Sequence, residues 1–170
     1  MAKLDIIKYG NSILRTKPKD ISLSDISYNR KTIQTIAYNM IDTMKLAAGI
    51  GIAAPQVGIL LNLCIVVNPN DHFKQIIMIN PKIIFKSNNL NSAEEGCLSI
   101  PGIYEVIHRH NKISCKYIDI NSCNENIMDA TGLFARIIQH EVDHLNSILF
   151  IDYLTTYKQL YIKKKLHKQV

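Results

Sequence analysis

Thr131-Gly132-Leu133-Phe134-Ala135-Arg136-Ile137-Ile138-Gln139-His140-Glu141-Val142-Asp143-His144-Leu145-Asn146 reads as one helix, opened by Thr131 and closing near Asn146. Residues four apart share a helix face, so His140 and His144 point the same way and can hold one metal ion between them. Glu141 stands beside them, placed to hold a water at that ion and take its proton. Two surface histidines on an acidic helix would show the same spacing. Leu133, Ile137, His140 and His144 fall on one stripe, however, which turns the pair inward among apolar neighbours, where imidazoles need partners.

Outward from this helix, the upstream chain alternates between short apolar runs and polar turns. Leu63–Val67 and Gln75–Asn80 read as strands separated by the turn Asn68-Pro69-Asn70-Asp71. Lys82–Lys86 continues as a strand beyond the Pro81 break. Ile113–Ile120 is another strand, followed by a polar turn at 121–126. Further upstream, apolar positions from Ile33 to Met44 recur at helical spacing, with Ser24 as the expected cap and Gly49 as the stop. Gly49–Gln56 reads as a tight loop. Thr155 or Thr156 opens a third helix to about His167. Strands in the middle with helices on both sides make an α+β fold, expected as one domain over residues 1–170.

The chain has 170 residues, 47% hydrophobic and 20% charged, which excludes a disordered chain or a fibre. No run of about 18 apolar residues occurs, so no membrane-spanning helix is expected. The first residues, Met1 to Asp5, lack the apolar run of a secretory signal, and a cytoplasmic protein is the simplest reading. The net charge of +6 is uneven: Lys158, Lys163, Lys164, Lys165 and Lys168 crowd the end of the chain. A polyanion would meet the protein there.

A catalytic ion of this kind takes three protein ligands and keeps one position open. Ser147 and Phe150 stand where an extended metalloprotease pattern wants Gly and His, and no Glu follows Glu141. Asp152 and His167 are weak leftovers, so the third ligand is sought upstream. Of four cysteines, Cys64 and Cys115 lie inside apolar strands and read as core, and Cys123 sits in a polar turn and reads as exposed. No two are spaced as C-x-x-C. Cys97 is the best candidate, in Glu95-Gly96-Cys97-Leu98-Ser99-Ile100-Pro101-Gly102, where glycines let the backbone turn around a site.

Three blocks now stand together: Gly49-Ile50-Gly51-Ile52-Ala53-Ala54-Pro55-Gln56, Glu95-Gly96-Cys97-Leu98-Ser99 and Gln139-His140-Glu141-Val142-Asp143-His144. They resemble, in order and separation, the three motifs of peptide deformylases, and Asn80-Pro81 and Arg109 fit the same pattern. The resemblance runs from about Leu4 to Tyr153. It implies antiparallel or mixed strands packed around a central metal-binding helix, and hydrolysis of the N-formyl group from formyl-methionyl nascent chains. It implies Cys97, His140 and His144 as ligands of Fe²⁺, with zinc, nickel or cobalt able to occupy the site; a thiolate and two imidazoles do not by themselves tell iron from zinc. It also implies Glu141 as the base, with the Gln56 amide and the Leu98 backbone N–H as oxyanion donors. Gly49 and Gly51 would let a strand-like substrate approach, and Ile50, Leu133 and Ile137 are the candidates for its methionine pocket. Glu95, Arg109 and Asp143 read as residues that orient the ligands, or as a surface salt bridge.

Two residues depart from the pattern. Ser147 replaces a glycine just after the third motif. Arg136 occupies a commonly apolar place about 80° around the helix from His144, where it would line the pocket rim. The basic helix at about 155–168 reads first as a packed amphipathic helix with a solvated lysine face, and in similar bacterial deformylases such a helix contacts the ribosome. No membrane or DNA partner is expected. A general metallopeptidase is disfavoured by the Cys97 block, and an RNA-binding module with a structural ion by the lack of a fourth ligand. A processed organelle form would carry the same sequence features.

Overall fold

The protein is described over residues 3–167 by a computed structural model. The Met1-Ala2 start and Lys168 of the basic tail lie outside the described residues. Along the chain run α1 (Leu23–Leu46), β1 (Gly51–Ala53), β2 (Leu63–Asn68), β3 (Lys74–Lys86), β4 (Leu90–Cys97), β5 (Ile100–His110), β6 (Lys112–Asp119), β7 (Glu125–Thr131), α2 (Gly132–Leu145) and α3 (Thr156–His167). Five strands form one antiparallel sheet in the order β1-β2-β3-β6-β7, and β4 pairs with β5 in a separate hairpin. The α+β reading holds.

Strand β2 explains the layers. Leu63, Ile65 and Val67 pack with Ile33, Ala37, Met40 and Met44 of α1. The alternate residues Cys64 and Val66 pack with Phe134, Ile138 and Val142 of α2. Both faces are covered, so β2 reads as an unbroken apolar run and the sheet lies between the two helices. Helix α2, which carries His140 and His144, is therefore central, clamped to the sheet by its apolar side.

The cap of helix α1 lies two residues before the expected one. Ser22, not Ser24, accepts from the Asp25 N–H at 3.0 Å, and the Asp25 carboxylate accepts from the Ser22 N–H at 3.1 Å. This reciprocal box satisfies two helix-end donors where Ser24 could satisfy one. At the other end Ala48, not Gly49, adopts the left-handed conformation with φ 52°. The Gly49 N–H then returns to the Met44 carbonyl at 2.9 Å and the Ala48 N–H to Lys45 at 3.0 Å, closing the helix as a Schellman motif.

Four strands escaped the sequence reading. The expected loop at 49–56 contains β1 and a 3₁₀ turn at Ala54–Val57. The Cys97 block is the turn of the β4–β5 hairpin, and the polar turn ends by Asn124, with β7 following. Strand β3 runs through Pro81: its register slips between Ile79 and Lys82, so the missing proline N–H falls at a bulge. Asn80 takes φ 49° there and clasps the Ile21 backbone through both amide atoms, at 2.9 and 2.8 Å.

The hairpin has its own apolar base: Ile100, Ile103 and Ile107 meet Leu149, Phe150, Ile151 and Ile162 of α3. Helix α3 packs through Ile162 and Leu166 and leaves Lys158, Lys163, Lys164 and Lys165 exposed. Tyr157, Leu160 and Tyr161 are exposed with them, so its apolar face is narrower than the amphipathic reading expected. Cys64 and Cys115 are fully buried. Cys123 is half-buried rather than exposed, because its turn folds back against the α1 side of the core.

Ser147 adopts φ 63°, and its hydroxyl is buried without a partner. A β-carbon in that region costs about 1 kcal/mol, and an unsatisfied hydroxyl adds a similar amount. The larger unfolded-state entropy of glycine offsets part of this. Ser147→Gly is therefore expected to stabilise by about 1 kcal/mol, which for a chain of this size raises Tm by about 3 °C in a thermal unfolding scan.

Candidate active site

Each structural layer delivers one piece of the site. Helix α2 presents His140 and His144 with ring centroids 5.0 Å apart, and Phe150 stacks 6.1 Å behind His140. The hairpin brings Cys97, whose Sγ stands 3.3 Å from His144 Nε2. One donor atom from each of these three residues lies within 4.8 Å of the others. No other group of three or more metal-binding side chains of this kind occurs among the described residues. One soft thiolate and two imidazoles suit a transition-metal ion, and three ligands leave a position for water or substrate.

Glu141 lies beside this cluster. Its Oε2 is buried and has no partner. Burial pushes its carboxyl up, the charges of His140 and Arg109 pull it back, and the balance is about 7. Gly51 of β1 makes the room: a Cβ there would overlap the Glu141 carboxylate. Burial also lowers His144 well below the usual histidine value. In His140 burial is outweighed by the hydrogen bonds it donates to Cys97 and Glu95, which raise it.

Gln56 sits in the 3₁₀ turn after β1. Its Oε1 accepts the Ala53 N–H at 2.8 Å, which fixes the amide so that Nε2 points at Cys97 Sγ, 3.4 Å away, and Ser99 Oγ, 3.3 Å away. The extended N-terminal segment ties this turn to the Cys97 turn. The Ile7 N–H bonds the Gln56 carbonyl and the Tyr9 N–H the Ser99 carbonyl, both at 2.8 Å. Between them Lys8 Nζ donates to the Leu98 carbonyl at 2.9 Å. The sequence held no sign of these contacts.

Glu95 is buried at the centre of a charge network. Its Oε2 accepts from His140 Nδ1 and from Arg109 Nη2, both at 3.0 Å, and its Oε1 accepts Arg109 Nε at 2.9 Å. Burial would raise its carboxyl; the hydrogen bonds from His140 and Arg109 outweigh that and hold it at about 2. Arg109 reaches on to Asp143, whose Oδ2 also accepts from the Tyr153 hydroxyl at 2.9 Å. The Arg109 guanidinium lies 4.7 Å from the centre of the Tyr153 ring. Glu95, Arg109 and Asp143 thus form one largely buried cluster rather than a surface salt bridge. Tyr153 was not foreseen.

These groups meet in a cleft of about 580 Å³. Gly49, Ile50, Gly51, Leu133 and Ile137 all line it, with Gln56, Cys97, Leu98, His140 and Glu141. Ile137 forms the buried floor, and Ile50 and Leu133 stand half-open at 47% and 53% exposure. Arg136 also lines the cleft, as expected, but its guanidinium does not face solvent. It is buried, because Glu95 and three hairpin carbonyls bind its guanidinium. Asp152, a leftover metal candidate, is paired with Arg15 instead.

The sequence profile of polypeptide deformylases matches residues 3–160. The chain belongs to that family. A peptide deformylase of Endomicrobium trichonymphae is 44% identical over 170 residues, covering 99% of this chain and 96% of that protein. The structure of the Ehrlichia chaffeensis deformylase in complex with actinonin superposes with a TM-score of 0.91 at 31% identity, covering 99% of this chain and 98% of that one. A Met-Ala-Ser-bound class I type b deformylase of Acinetobacter baumannii superposes at 0.82 and 34% identity, covering 90% and 99%. The deformylase fold thus spans nearly the whole chain, its cleft included.

Proposed function

We propose that this chain removes the N-formyl group from the N-terminal formyl-methionine of newly made polypeptides, releasing formate. The observation that carries the reading is the Cys97, His140 and His144 donor cluster with the unpartnered Glu141 oxygen beside it in the cleft. A divalent ion held by those three residues supplies Lewis acidity, the chemistry that makes water nucleophilic near neutral pH. We assign Fe²⁺ as that ion in the cell, with zinc, nickel or cobalt as substitutes.

Glu141 takes the proton of the attacking water and delivers it to the departing amine as the carbon–nitrogen bond breaks. Gln56 Nε2 and the Leu98 N–H donate to the oxyanion that develops on the formyl oxygen. Gln56 suits this role because Ala53 already holds its amide in place. Strand β1 is the edge of its sheet, and Gly49, Ile50 and Gly51 on the cleft side offer backbone to an added peptide strand. Ile50, Leu133 and Ile137 receive the methionine side chain. A formyl carbon carries only hydrogen, so an acetyl cap is rejected by size.

Glu95, oriented by Arg109 and Asp143, accepts from His140 Nδ1 and so leaves Nε2 for the ion. The chain works as one unit in the bacterial cytoplasm, and the lysine face of α3 meets ribosomal phosphates. Among the described residues no helix is long and apolar enough to cross a membrane.

The test is formate release by anaerobically prepared Fe²⁺ protein from formyl-Met-Ala-Ser, against the same peptide unformylated. The expected result is formate from the first and no cleavage of the second. Internal cleavage of the unformylated peptide would make it a general metallopeptidase, and inactivity of folded, metal-loaded protein would end the enzymatic reading.

A further inference from the structure

Arg136, His140 and His144 stand at successive four-residue steps on one face of α2. Arg136 Nη1 donates to Glu95 Oε1 at 2.6 Å and to the Ile107 carbonyl at 2.9 Å, with a longer contact to the Ala93 carbonyl at 3.4 Å. Its Nη2 donates to the Asn91 carbonyl at 2.6 Å and to Asn91 Oδ1 at 3.2 Å. The guanidinium is buried and its partners all lie on β4 and β5, the hairpin that carries Cys97.

We infer that Arg136 is a positioning residue for the metal centre, fixing Glu95, and through it His140, relative to the hairpin that delivers Cys97. The inference rests on the metal-site reading above. Its physical basis is a grip at several points. Helix α2 reaches the hairpin through Arg136 one turn before His140 and through Asp143, bound to Arg109, one turn after it. It also does so through Gln139, whose amide accepts the His110 N–H at 3.1 Å and donates to the His110 carbonyl at 2.9 Å. Gln139 and Asp143 fix the helix against the hairpin, and of the three contacts only Arg136 binds the carboxylate that His140 itself uses. Glu95 is the point where the two arginines meet, since Arg109 and Arg136 share its Oε1 while Oε2 is shared by His140 and the second arm of Arg109. A planar fork can bridge Glu95 and Asn91 at once, whereas the single head of a lysine reaches one of them.

The test uses the whole chain loaded with Co²⁺ alone, whose visible absorption reports ligand geometry and whose loss to a chelator gives a dissociation rate. Arg136→Lys is expected to fold, to release Co²⁺ about 10-fold faster and to shift the absorption bands, with kcat lowered in step and KM little changed. Arg136→Met, which keeps the packing of the stem, is the second variant and should move the same readouts further. In a cycle with Glu95→Gln, the Arg136→Lys effect should largely disappear, because both act on one carboxylate. Fully additive effects, or Co²⁺ release and spectrum unchanged in folded Arg136 variants, would overturn the inference while Glu95→Gln still weakens binding. Failure of the wild-type chain to bind Co²⁺, or an unaltered Glu95→Gln variant, would overturn the underlying reading as well.

Discussion

Glu141→Gln is expected to lower kcat for formate release about 10³-fold while leaving metal content and the unfolding midpoint of the protein in place. The amide is nearly isosteric with the carboxyl, so the pocket made by Gly51 still accommodates it. What it lacks is basicity. The carboxyl at about 7 both accepts a proton from water and returns it to an amine near neutral pH, and an amide does neither. Since Oε2 has no protein partner, no hydrogen bond is broken by the change and the stability cost is small. A variant that keeps the wild-type rate, or one whose loss appears only in KM, would show that Glu141 is not the base.

The site was legible in the sequence where its spacing is local. His140, Glu141 and His144 follow from helix periodicity alone, and Cys97 from a shortage of other third ligands. The separation between Cys97 and the helix, and the role of Gln56, came from the resemblance. Illegible from spacing were the long-range contacts. The β4–β5 hairpin was missed because Gly96, Pro101 and Gly102 look like loop residues. Yet Gly96 is needed inside the hairpin: a Cβ there would lie 2.6 Å from the Tyr104 ring. The alternation of Ile103, Ile107 and Arg109 on one face was the available signal. Arg136 was placed at the rim from its angle around the helix relative to His144, and no local pattern reveals that Glu95 and the hairpin carbonyls bury its guanidinium. Ser22 was passed over for Ser24 although the Ser-x-x-Asp box was present to be read.

Gly51→Ala tests the cleft from its other wall. The added Cβ would overlap Oε1 of Glu141 and lie 2.9 and 3.0 Å from its Cδ and Cγ. Strand β1 cannot retreat, because Gly51 pairs with Val66 and the Ile50 carbonyl holds the Val67 N–H at 2.9 Å. The carboxylate must move instead. A displacement of about 1 Å costs on the order of 10²-fold in rate, so kcat should fall by about that factor, with metal content and KM nearly unchanged. Gly49→Ala is the contrast. Its Cβ would meet Leu98 Cδ1 at 2.9 Å, the end of a flexible side chain that can give way in the cleft, so its effect belongs in KM. The decisive arm is Gly51→Ala combined with Glu141→Asp. Shortening the acid by one methylene withdraws it from the new methyl group, so the double variant should be more active than the product of the two single losses. Strictly multiplicative losses would mean that Gly51 acts on the substrate strand rather than on the base.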